Sequence, residues 1–217
     1  MDKYRLTNIK IEHEGRTLYR IEALKDFGLI SKGTLGGYVE GTHNLSQYGT
    51  CWILNNAKVY GGAMVSEGAI IFGDACVYGC ARVYGEAIIS GYAKIYDFAV
   101  VGGRARVVHN AVIHDCARVT GCAVVQQNAI ICGNVTVGGN ASIFGNAVIN
   151  NMRDYIVFKN WWSSGRYFTW TRSNDMWFVG CFYGTGEELI RKAYTDSKES
   201  GREYERIVKY VESIKQL

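Results

Sequence analysis

The chain has 217 residues, of which 48% are hydrophobic and 20% charged, so it is long enough to bury a substantial core and too apolar to remain disordered. It has no run of eighteen apolar residues, which argues against a helical membrane span. A net charge of +4 is too small to expect bulk nucleic-acid binding. The opening MDKYRLTNIK is charged from its second residue and lacks an apolar core, so no secretory leader is expected and the cytoplasm is the expected compartment.

Residues 1–37 alternate as two short strands, TNIKIEH and RTLYRIEA, around a Glu14-Gly15 turn. They read as an N-terminal β cap. The units YVEGTH and NLSQYG at 38–49 fit the following pattern poorly, and TCWILN at 50–55 begins to keep it, which puts the regular part near residue 50. From Asn56 to Asn151 the chain is sixteen consecutive hexapeptides, beginning NAKVYG, GAMVSE, GAIIFG, DACVYG, CARVYG. The second residue is Ala in fifteen of them, with Val135 the exception, and the fourth is Val or Ile in all sixteen. Positions two apart on an extended chain face the same way, so a small and a branched residue point inward and the third points out. Gly, Asn or Asp at the unit boundary allows a sharp bend after a strand of about four residues. Three such sides, one hexad each, close a triangular coil, and stacked coils form a parallel β-helix with an aliphatic core, here assigned to 38–151.

This repeat, with LKDFGLISKGTLGGYVEGTHNLSQYG before it, resembles the YdcK-like proteins of the bacterial hexapeptide-transferase superfamily, of phage and prophage type. The resemblance spans about residues 20–151 and implies a left-handed coil, a homotrimer and an ancestral acyl-CoA-dependent activity. It departs from the superfamily pattern in placing Tyr, rather than Gly, directly after many inward aliphatic residues.

Aligning every third hexad gives three outer walls. The first carries Trp52, Ile70, Ile88, Arg106, Val124 and Ser142. Its apolar early coils are the expected trimer seam. The second carries Lys58, Cys76, Lys94, Val112, Ile130 and Val148, whose apolar end is expected to lie under the C-terminal domain; the third carries Met64, Arg82, Val100, Arg118 and Thr136. Tyr60, Tyr78 and Tyr96 fall one coil apart, followed by His114 and Cys132. Such a ladder stabilises in-register strands. It also offers a stacking surface, so Tyr78 and Tyr96 with Arg82, Arg104, Arg106 and Arg118 are the candidate site for a small anionic, nucleotide-type ligand.

Acyltransferases of this superfamily need a groove histidine as general base. His109 and His114 are the only candidates within the repeat, and Asp115, the only nearby carboxylate, is expected to point away from His114. The five-residue spacing of the two histidines is similar to the zinc pair of γ-class carbonic anhydrases, but Gly73 stands where a third histidine would fall, so no metal is expected. The seven cysteines include no CxxC pair and read as reduced thiols.

Residues 152–217 read as a small α+β domain: DYIVFKN, RYFTWTR and MWFVGCFYG as three strands, then two helices. Thr185 with Glu188 forms a capping box, which also accounts for Gly184-Thr185-Gly186 without a phosphate cradle. Ser200 with Glu203 is expected to start the second helix, with Tyr204, Ile207, Val208, Val211, Ile214 and Leu217 on one face. Trp161 and Trp162 are the candidate interaction surface for a host protein. The expectation is therefore a non-catalytic, cofactor-free homotrimer that captures a small anion or a host protein, with phage counter-defence as one context and no membrane partner. The alternative is an acyltransferase using acetyl-CoA and His109 or His114.

Overall fold

The computed structural model describes residues 2–215. Strands β1 (Tyr4–His13) and β2 (Arg16–Ala23) form an antiparallel hairpin, and β2 pairs with β3 (Leu35–Val39). Seventeen two-residue strands follow, from β4 (Trp52–Ile53) to β20 (Val148–Ile149). They are shorter than the four residues expected because each hexad gives its remaining positions to the corner. Parallel pairing joins each strand to the one three hexads on, as in Trp52 with Ile70 and Lys58 with Cys76. The three resulting sheets are the three walls read from the sequence. Sheet, core and period together make this a parallel β-helix, with the N-terminal hairpin continuing the second wall.

Every second- and fourth-position residue from Ala57 to Ile149 is buried, none more than 1% exposed. Alanine at one inward position leaves the triangle's interior to the branched residue at the other. The sixth position of each hexad from Gly61 to Gly145 has positive φ. Five of those corners are not glycine: Glu67, Asp97, His109, Asp115 and Gln127. Three of these carry a side chain that accepts from the backbone N–H one coil later, Glu67 from Gly85 (3.0 Å), Asp97 from Asp115 (3.3 Å) and Asp115 from Gly133 (2.8 Å). That bond offsets the cost of the left-handed corner and satisfies an N–H the ladder does not use.

The regular coil begins earlier than residue 50. Tyr38 and Val39 pair with Lys58 and Val59, and Leu45 bridges Val65, in both cases two positions beyond three full hexads. By Trp52, which pairs with Ile70, the offset is three hexads and no more, so two extra residues lie between Leu45 and Trp52. They swell one corner and conceal the period there.

The N–H groups at the third and fifth positions of the hexads donate forward, as from Lys58 to the Ala75 carbonyl (2.9 Å). The first coil is therefore left with unpaired acceptors and the last with unpaired donors, and the two caps are chemically matched to that polarity. At the first coil, Lys3 Nζ donates to the Cys51 carbonyl (3.0 Å) and Tyr4 Oη to that of Leu45 (2.7 Å). At the last, Ser142 N–H donates to Thr169 Oγ1 (3.0 Å) and Val148 N–H to Ser173 Oγ (2.7 Å).

The C-terminal unit has four antiparallel strands, not three: β21 (Tyr155–Lys159), β22 (Tyr167–Thr171), β23 (Met176–Val179) and β24 (Phe182–Gly184). Gly180, at φ +61, breaks the expected third strand into a hairpin. Helix α1 (Gly186–Asp196) starts at the expected capping box. Helix α2 (Lys198–Ile214) starts earlier than expected, capped by Ser197, so Ser200 lies within it. Tyr204, Val208 and Val211 face a separate core with Phe168, Trp170 and Trp177, and Ile207 packs at its edge. Leu217 lies outside the described residues. The unit's contacts are to the end of the last coil, through Thr169, Ser173 and a stack of Phe144 on Phe178, rather than along the second wall, where Val112, Ile130 and Val148 stay partly exposed.

Candidate functional site

A concavity of about 810 Å³ opens on the third wall of the β-helix. Its floor is Val100, flanked by Arg82 one coil before and Arg118 one coil after. Both arginines are exposed and, among the described residues, neither has a hydrogen-bonding or ion-pairing partner. Two coils separate them, about 9.6 Å along the stack. Tyr84, Phe98, Met64 and Cys80 supply apolar sides. Glu67 also lines the space, one carboxylate oxygen being held by the Gly85 N–H.

Tyr84 owes its position to Gly102, which takes the equivalent place one coil later. A Cβ there would come within 2.5 Å of Tyr84 Cζ, so the phenol lies flat over a backbone that only glycine leaves clear. Tyr84 and Phe98 were not singled out from the sequence. The available signal was a tyrosine followed three hexads later by glycine, in a column whose other residues, Ser66, Thr120 and Gly138, are all small.

The candidate residues named from the sequence are thus only partly gathered. Arg82 and Arg118 share the concavity. Arg104 instead pairs with Glu86 (3.1 Å), and Arg106 belongs to the first wall. Tyr78 and Tyr96 stand on the second wall, where Tyr60, Tyr78, Tyr96 and His114 stack at centroid distances of 4.9–5.1 Å and within 7° of parallel. Their faces are consumed by one another, so a ligand base meets ring edges there, not faces. Tyr60 closes the lower end, its ring met by His13 and its hydroxyl donating to Glu14 (3.0 Å). Burial pushes the Tyr78 phenol up to about 12 and raises Tyr60 and Tyr96 in the same direction.

Of the two candidate bases, His109 sits on an exposed left-handed corner at φ +62. His114 has what it was expected to lack: its Nδ1 lies 3.2 Å from Asp115 Oδ1. The left-handed backbone at Asp115, φ +56, folds the carboxylate back over the preceding residue instead of letting the two diverge. The Gly133 N–H bonded to that carboxylate holds Asp115 below the usual carboxylate range, with the contact to His114 adding to it.

The expected trimer seam needs one correction. Trp52 is only 1% exposed, its indole covered by Tyr4 and Phe27. Ile70 and Phe72, each 36% exposed, and Ile88 remain as the outward apolar surface. In the C-terminal unit Trp161 is 79% exposed, whereas Trp162 packs edge-on against Tyr204 and Phe168. No described helix is long and apolar enough to cross a membrane.

These features define the class of the protein as a parallel β-helix repeat protein with a small α+β cap. A scan against models of known families gave no match, and a search of curated proteins gave none either.

Proposed function

We propose that this chain is a non-catalytic binding protein, of the hexapeptide-repeat kind that YdcK-like proteins represent, which captures a small phosphate-bearing aromatic ligand on its third wall and assembles as a homotrimer. One observation carries the reading: two unpaired guanidinium groups stand at either side of an apolar concavity that also presents the Tyr84 ring. Guanidinium forks match phosphate oxygens bidentately, and an exposed ring face accepts a nucleobase regardless of its identity. Stacking contributes roughly 1–3 kcal/mol per base and a charge-assisted hydrogen bond about 1.5–3. One stack and two such bonds in a preformed groove reach the micromolar range. Isothermal calorimetry against linear and cyclic nucleotides tests this. Affinity is expected to fall with salt and to drop at least tenfold in Arg82→Ala and in Arg118→Ala, with Arg106→Ala unchanged. Binding that ignores both arginines, or no binding by any member of the panel, removes the reading.

The second reading is an acyl-CoA-dependent acyltransferase, and the His114–Asp115 contact favours it, because a carboxylate on Nδ1 orients an imidazole for proton abstraction at Nε2. Its test is acetyl-CoA consumption with amine and hydroxyl acceptors. Turnover abolished by His114→Ala replaces the binding-protein reading with this one.

A further inference from the structure

The tyrosine ladder ends in an unusual way. Above His114 the next residue of the column is Cys132, so the imidazole's outer face meets a thiol instead of a fifth ring. Asp115, at the adjoining corner, turns its Oδ1 toward the same place. A nitrogen of His114, a carboxylate oxygen of Asp115 and Cys132 Sγ all lie within 4.8 Å of one another. The geometry points to a divalent transition-metal site on the second wall, with His114, Asp115 and Cys132 as its three protein ligands and a fourth position open to solvent.

Several features support three-point ligation over a chance cluster. Two donors bound at about 2.0–2.1 Å to a tetrahedral ion stand about 3.4 Å apart, and His114 Nδ1 and Asp115 Oδ1 are already 3.2 Å apart. Asp115 is fixed before any metal arrives, because its left-handed corner and the 2.8 Å bond from Gly133 N–H to Oδ2 turn Oδ1 toward His114. His114 is fixed by its stack on Tyr96, and Cys132 by the coil ladder, its N–H donating to the Ile149 carbonyl (2.9 Å). A rigid scaffold of this kind lowers the ordering cost of binding. The nearby carboxylates of Asp115 and Asp154 make the field around Cys132 negative, which suits a cation. One nitrogen, one oxygen and one sulfur donor select a borderline ion such as zinc or cobalt over magnesium or calcium.

The site is separate from the arginine concavity, and neither proposal depends on the other. Cobalt(II) added to the full-length, reduced protein is the direct probe, since thiolate ligation produces an intense charge-transfer band in the near ultraviolet. One equivalent of cobalt is expected to saturate the band. Cys132→Ser should lose it at least tenfold, Asp115→Asn should bind at least tenfold more weakly, and Cys116→Ser, which removes an exposed thiol near the same corner, should match the wild type. Asp115→Asn keeps a side chain that tolerates positive φ and accepts from Gly133, so it decides the matter if Cys132→Ser does not fold. Absence of the band at one equivalent, its persistence in Cys132→Ser, or its loss in Cys116→Ser overturns the proposal.

Discussion

Thr169→Val isolates the claim that the C-terminal unit closes the β-helix by accepting from its last coil. Thr169 is 1% exposed, and its Oγ1 accepts from Ser142 N–H at 3.0 Å. Valine keeps the branched shape and strand preference of threonine in β22 but leaves that part-buried N–H without its partner. An unpaired buried donor costs about 1–3 kcal/mol, which for a chain of this length lowers the melting temperature by roughly 2–12 °C. The matched control is Ser173→Ala at the Val148 N–H: that bond is exposed to solvent, water replaces the hydroxyl, and the loss stays below about 0.5 kcal/mol. Urea denaturation of both variants, with amide hydrogen exchange read at Ser142 and Val148, measures the two costs side by side. Equal losses, or a Thr169→Val protein with unchanged stability and unchanged protection at Ser142, would refute the capping argument.

Gly102→Ala should fold, since Gly102 does not have positive φ, yet push the Tyr84 ring off the third wall and weaken nucleotide binding at least tenfold in calorimetry. Stability should fall as pH climbs from about 10 towards 12, because an unfolded tyrosine ionises near 10.0 while Tyr78 keeps its proton to about 12 and Tyr4, Tyr60 and Tyr96 are likewise raised. Lys3, whose pKa burial lowers from 10.5, acts in the opposite sense, but it is one group against four. Tyrosinate absorbance should therefore show a class of phenols that ionise only on unfolding; a single transition near 10 would contradict this. Ile70→Asp with Ile88→Asp places charges on the outward apolar surface of the first wall and should cost a trimer several kcal/mol, so that light scattering reports monomers. A double variant that stays trimeric moves the interface to another wall.

The β-helix was legible because its determinants are local and repeated: an inward Ala and an inward Val or Ile recur in every coil, and the same six-residue count locates each corner. What escaped the sequence depends on contacts between distant residues. The two extra residues between Leu45 and Trp52 suspend the period, and their corner is held instead by Gln47 Oε1, which accepts from the Lys3 N–H (2.8 Å). Ser200 and Glu203 have the pattern of a capping box, yet α1 and α2 share the single residue Ser197 between them. The helices then approach so closely that a Cβ on Gly201 would lie 2.3 Å from the Tyr194 ring. The columns of the site were likewise readable, but not which ring faces stay free. Stacking closes those of Tyr78 and Tyr96, while the missing side chain of Gly102 lays Tyr84 open. The register did place His114 and Cys132 one coil apart, but not the Asp115 carboxylate with them, because it is the left-handed corner, not the spacing, that folds Asp115 back over His114.

Native mass spectrometry of the protein purified from its own host, under conditions that retain bound molecules, tests the central claim most directly, because it reports stoichiometry and ligand together. The account predicts a three-chain assembly carrying a phosphate-containing small molecule that is released on collisional activation and absent from the Arg82→Ala/Arg118→Ala protein. A monomer of bare mass, or an adduct that survives loss of both arginines, would contradict it.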